Sequence, residues 1–222
     1  MGRDFEDDVD EYADDYRRYN LLRDPWVGEV DERVYAAFRI AFSSVAFINL
    51  IQLWAYRDSF FTSGGMIPAE AVAELGWHTR LSIFTYIDSS FGVAVCFLAA
   101  AAAMVCLGLG ISPRAAAFVV LVWHVSYTYR AEPGLGGWDY VLRAYSFLIL
   151  VSPLGRCWSV RGCASPKLVP NYGISLMRVQ LAVIYWQSVV VKLGNNFWQD
   201  GEFLTYFLMS NFARWPHERV AG

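Results

Sequence analysis

The chain has 222 residues, of which 56% are hydrophobic and 18% charged, with a formal net charge of −3 and a mean hydropathy of +0.30. The charges crowd into the first 33 residues, so the remainder is far more apolar than a soluble domain and reads as an integral membrane protein. The negative balance comes from the acidic N-terminal tail, and the absence of a basic face removes nucleic acid as a partner.

In chain order, residues 1–32 open with FEDDVDEYADDYRR, too charged to insert and without the apolar core of a signal peptide. This reads as a cytoplasmic tail, either a short surface helix or disordered. The transmembrane domain is expected over 33–222, as an all-α multi-pass bundle of about five spans. Val34 to Ala55 is the first span, interrupted by Arg39. Asn49 and Gln52 share one of its sides, which is expected to face other helices. The loop from Tyr56 to Arg80 holds the turn signal SGGMIP and then AEAVAELG, a short interfacial helix. Phe91 to Leu109 carries no charge, and its AAAAA run allows close helix contact. Ala115 to Tyr129 and Trp138 to Pro153 are short for isolated spans. They read as ordinary helices with aromatic ends at the interface, the alternative being a re-entrant pair. A basic, Pro/Gly-rich loop, Leu154 to Tyr172, precedes the span Ile174 to Leu193, and Glu202 to Phe212 is an apolar stretch too short to cross unaided. Four cysteines, Cys96 and Cys106 in an apolar helix and Cys157 and Cys163 in the basic loop, imply no disulfide scaffold.

Lys and Arg distribute nine against five between the two sides if the N-terminus is cytoplasmic, with Arg57, Arg80 and Arg130 on the outer side. Arg39, Arg143, Arg178 and Lys192 are left inside the spans, where each costs about 2.5–3.5 kcal/mol at the bilayer centre unless paired. One reading has the arginines tie helices together through carbonyls, Asp139, Asn49 or Gln52. Lys192 either snorkels to the outer interface or occupies a dry pocket as a general base. Arg178, Tyr185 and Lys192 are spaced by seven and seven, which places a polar stripe on one side of the last span. His78, His124 and His217 lack the paired spacing of a metal site. There is no phosphate loop after a strand and no serine elbow, so soluble enzyme classes are excluded.

The segment YWQSVVVKLGNNFWQDG resembles the signature of the membrane domain shared by vitamin K-dependent gamma-carboxylase and the HTTM (horizontally transferred transmembrane) proteins. The matching positions are Tyr185, Lys192, Leu193, Trp198 and Gly201. Upstream, GGWDYVLRAYSFLILVSPLGRCWSVRG resembles the family's preceding helix and Trp-Ser-Val turn, and the likeness extends over Val34 to Pro216. The carboxylase converts peptide glutamate to gamma-carboxyglutamate with reduced vitamin K, O2 and CO2, forming the epoxide. The resemblance implies a lyase of the cell membrane, of bacterial inner-membrane type, with Lys192 as the base that deprotonates the hydroquinone. It further implies a pocket lined by Tyr185, Trp198 and Arg178, with a glutamate-containing peptide as partner beside the lipid bilayer. Three departures stand against it. Val191 replaces the first of two adjacent lysines. Gly137 and Trp138 replace an Asn-His pair, for which His124 is either a substitute or a hydrogen-bonded structural residue. The chain ends at Gly222, ahead of the carboxylase's further spans and large soluble domain, as a fragment or a reduced relative would. The alternative expectation is an HTTM protein that does not carboxylate but binds lipid or quinone, or is a structural membrane component.

Overall fold

A computed structural model describes residues 26, 28–66, 74, 76, 81–154, 157–160, 162 and 167–209. The expected acidic tail therefore lies almost wholly outside the described residues, as does most of the expected helix in AEAVAELG. The chain forms two compact units, Met1–Leu176 and Met177–Gly222.

In the first unit, strand β1 (Glu29–Asp31) leads directly into helix α1 (Glu32–Trp54). Asp31 caps α1 by accepting the Arg33 N–H at 2.8 Å and its guanidinium at 2.6 Å. That guanidinium bond, reinforced by the backbone one, holds the Asp31 carboxyl below its usual range. Along α1 the buried residues Tyr35, Arg39, Phe42, Ala46 and Asn49 recur at alternating spacings of four and three, one stripe turned to the other helices. The opposite face is apolar and open: Val45, Ile48 and Ile51 are each more than half exposed. A water-soluble helix would be charged there.

A short helix α2 (Arg57–Phe61) and a 3₁₀ turn (Ile83–Thr85) lead to α3 (Ser90–Leu109), which Ser89 caps by accepting the Gly92 N–H. Helix α3 ends where Gly110 takes a left-handed φ of 72° and Ile111 N–H returns to the Cys106 carbonyl at 2.8 Å. Within the alanine run Ala100 and Ala103 are buried, and at Gly108 an added Cβ would stand 2.7 Å from the Ser43 hydroxyl. The small residues thus let α3 approach α1 closely. Helix α4 (Pro113–Arg130) starts with proline in its first turn, and α5 (Gly137–Val151) follows a 3₁₀ turn. Phe61, Phe84, Phe97 and Trp123 form the aromatic core, with Phe97 and Trp123 edge to face at 4.6 Å.

Strand β2 (Leu168–Pro170) pairs antiparallel with β1, Glu29 opposite Pro170 and Asp31 opposite Leu168. The Tyr35 hydroxyl donates to the Pro170 carbonyl at 2.8 Å and accepts the Ile174 N–H at 3.3 Å. These bonds tie the entry of helix α6 (Tyr172–Leu193) to the start of α1. In the second unit α6 continues to Leu193 and is followed by α7 (Asn196–Gln199) and α8 (Glu202–Met209). Trp198 stacks on Phe203 at 3.6 Å, and Phe197 and Tyr206 join this aromatic group.

Among the described residues, three helices are long and apolar enough to cross a membrane: α1, α3 and α6. Helices α4 and α5, of 18 and 15 residues, are each continuous. The protein is all-helical in its main elements, with a single two-stranded ribbon among the described residues.

Candidate functional site

Asp139 is the polar centre of the first unit. It stands at the third position of α5, where its Oδ2 accepts the Gly136 N–H at 2.9 Å and so caps its own helix. Its Oδ1 accepts the Tyr127 hydroxyl of α4 at 2.9 Å and the Asn49 amide of α1 at 3.2 Å. One buried carboxylate therefore joins three helices through three donors, with no ion pair to a cation among the described residues. Such an arrangement offsets the cost of burying charge only while every donor stays in place. Arg143, four residues on, forms no ion pair with Asp139. Its guanidinium lies over the rings of Tyr129 at 4.9 Å and Tyr140 at 5.2 Å and donates to the Thr128 hydroxyl at 3.3 Å.

The other intramembrane arginine of this unit behaves as a tie. Arg39 is 0% exposed and donates to the carbonyls of Cys157 and Trp158, both at 3.2 Å, so a charge in the first span holds the segment after α5. Arg130, counted from sequence among the charges of an outer loop, is buried at the end of α4 and donates to the Thr62 carbonyl at 3.2 Å. The reason is that α4 runs one residue beyond its apolar pattern, carrying Arg130 into the packed end of the bundle. Gln52 also departs from expectation: it is exposed, while Asn49 is buried. Three residues along a helix leave it about 60° away from Asn49, outside the stripe.

His124 is 0% exposed in α4. Its Nδ1 donates to the Val120 carbonyl at 2.8 Å, and Phe42 and Tyr127 pack against the ring. Its Nε2 finds no hydrogen-bond partner among the described residues. The remaining sequence-derived candidates, Arg178, Tyr185, Lys192 and Trp198, belong to the second unit. All of the first three lie on the one continuous helix α6, and each is exposed. The structure brings two candidates together: the Lys192 ammonium sits 4.6 Å from the centroid of the Trp198 ring. The turn between them is made by Asn195, whose side chain accepts the Phe197 N–H at 2.9 Å and starts α7. Sequence reasoning missed Tyr127, since its partner Asp139 is twelve positions away with a turn between, a separation that helical periodicity does not encode.

Fold and side-chain placement together define an all-helical protein with three membrane-length apolar helices and an aromatic-flanked cation at the end of the third. No family model matches the chain, and no solved structure matches it. Among curated proteins it is similar to YitO of Bacillus subtilis (strain 168), a protein named as uncharacterized, with 26% identity over 196 residues. That match covers 83% of this chain and 59% of YitO, so the chain spans under two thirds of the relative's length.

Proposed function

We propose that this chain is a multi-pass membrane protein of the kind its sequence resembles, the HTTM proteins and the membrane domain of vitamin K-dependent gamma-carboxylase, and that it acts at the C-terminal end of α6. The observation that carries the reading is Lys192 in the last turn of an apolar helix with its ammonium over Trp198. A cation and a stacked aromatic group at the end of a membrane-length helix suit a flat, apolar ring bearing oxygen atoms. The residues of this unit therefore fit a quinone. A reduced quinone would supply the electrons that O2 takes up. Lys192, once its ammonium has released a proton to solvent, would accept the hydroxyl proton at its neutral Nζ, while Trp198 and Tyr185 offer apolar surface and Arg178 a further cation on the same helix.

A second reading is favoured by the first unit. The positions of the family's Asn-His pair are Gly137 and Trp138, and His124 is enclosed between Phe42 and Tyr127. On this reading the same helix end binds a quinone or lipid without carboxylating a peptide. Incorporation of labelled CO2 into a glutamate peptide by membranes carrying the chain, with reduced naphthoquinone, separates the two. Incorporation that vanishes in Lys192→Ala supports the carboxylase. Its absence from wild-type membranes that still bind the quinone supports the binding protein.

A further inference from the structure

Between α1 and α3 lies a groove of about 370 Å³, within the range of about 300–1,000 Å³ typical of ligand sites. Its floor is small, because Ser43 and Gly108 meet there, and Phe47, Val105 and Ser44 form its sides. The end of the groove is walled by residues 157–160, a strap fixed by the Val160 N–H bonding to the Leu109 carbonyl at 3.0 Å and by Arg39 bonding to the Cys157 and Trp158 carbonyls. Successive residues of the strap face opposite ways. Trp158 and Val160 line the groove, whereas Ser159 lines a second cavity of about 590 Å³ with Gly110, Ser112 and Arg114. An apolar slot and a cation-lined pocket thus lie on the two sides of one short segment.

We propose that these two cavities hold a single anionic phospholipid, with an acyl chain in the slot and its phosphate against Arg114. The slot is cut between two of the membrane-length helices and is flanked by exposed Ile40, Val105 and Leu109, so it opens toward hydrocarbon. Trp158, exposed in the groove wall and adjacent in sequence to Ser159 of the second cavity, is the residue type favoured where acyl chain meets headgroup. Arg114 is exposed and makes no ion pair among the described residues, leaving its charge for a phosphate. An anionic headgroup complements that charge, whereas a zwitterionic one brings its own cation beside it. The site is distinct from Lys192 and does not depend on the quinone reading.

The test uses the full chain reconstituted in vesicles of unbrominated phosphatidylcholine into which either brominated phosphatidylglycerol or brominated phosphatidylcholine is titrated. Quenching at Trp158 is read as the difference between wild type and Trp158→Phe. The expected result is half-maximal quenching at an about fivefold lower mole fraction of the glycerol lipid than of the choline lipid, the selectivity one cation provides. Arg114→Gln should abolish that preference, and Ser44→Phe, which fills the slot from an exposed position, should suppress quenching by both lipids. Equal quenching by the two lipids overturns the proposal, as does a preference that survives Arg114→Gln. Should Ser44→Phe fail to insert, Arg114→Gln decides alone.

Discussion

The two units handle their polar side chains in opposite ways. In the first, Asp139, Arg39 and Arg130 are buried and committed: the carboxylate takes three donors, and the arginines grip carbonyls of distant segments. In the second, Lys192, Tyr185 and Arg178 stand exposed, and the lysine's contact is the face of a ring. A buried group whose bonds hold distant segments together can be altered only at the expense of the fold. An exposed cation over an aromatic can change partner. The contrast teaches that an expensive residue within an apolar helix is a tie where it is enclosed and a candidate for chemistry where it is open.

The largest effect is expected on the buried side. Asp139→Ala strands the Tyr127 hydroxyl and the Asn49 amide and is expected to destabilise the protein by about 3 kcal/mol or more. Thermal unfolding in detergent would show it, and a change under about 1 kcal/mol would mean that the three helices do not depend on this carboxylate. Next in size, Arg39→Leu leaves the Cys157 and Trp158 carbonyls without their donor, at a cost of about 2–3 kcal/mol. Chymotryptic cleavage after Trp158 should rise in parallel. Tyr127→Phe removes one bond and keeps the ring, so about 1–2 kcal/mol is expected by the same unfolding assay. Lys192→Ala tests the open side: its stability should stay within about 1 kcal/mol of wild type, since an exposed cation over a ring contributes little. The smallest effect concerns pH. Asp31 is held below its ordinary pKa by Arg33, so its contribution to stability is complete above the unfolded carboxylate value and is lost as pH falls through the lower folded value. Asp31→Asn should flatten that acid limb of the unfolding curve.

Apolar runs made the long helices legible within two residues. Val34 to Ala55 became Glu32–Trp54, Phe91 to Leu109 became Ser90–Leu109, and Ile174 to Leu193 became Tyr172–Leu193. The cost of charge inside hydrocarbon marks Arg39 as a residue in need of a partner among carbonyls, Asp139, Asn49 or Gln52; the carbonyls it takes belong to a segment over a hundred residues away, which composition does not reveal. Asp139 is one of the partners the sequence offers the intramembrane arginines, yet the packing of α4 against α5 gives the carboxylate a phenol in place of a guanidinium. Arg130 reads as a loop residue from sequence because apolar composition fades before the helix ends. In the last span the spacing of Lys192 and Tyr185 is legible, whereas the ring under the ammonium depends on the Asn195 turn that starts α7.

The measurement that bears most directly on the account is the affinity of reduced naphthoquinone for purified wild type and Lys192→Ala, with unfolding recorded on the same samples. The variant is expected to keep the wild-type unfolding temperature and to lose binding. A variant that binds as wild type does, or that unfolds with the severity expected of Asp139→Ala, would contradict the division between a bundle that is tied and a helix end that is free to act.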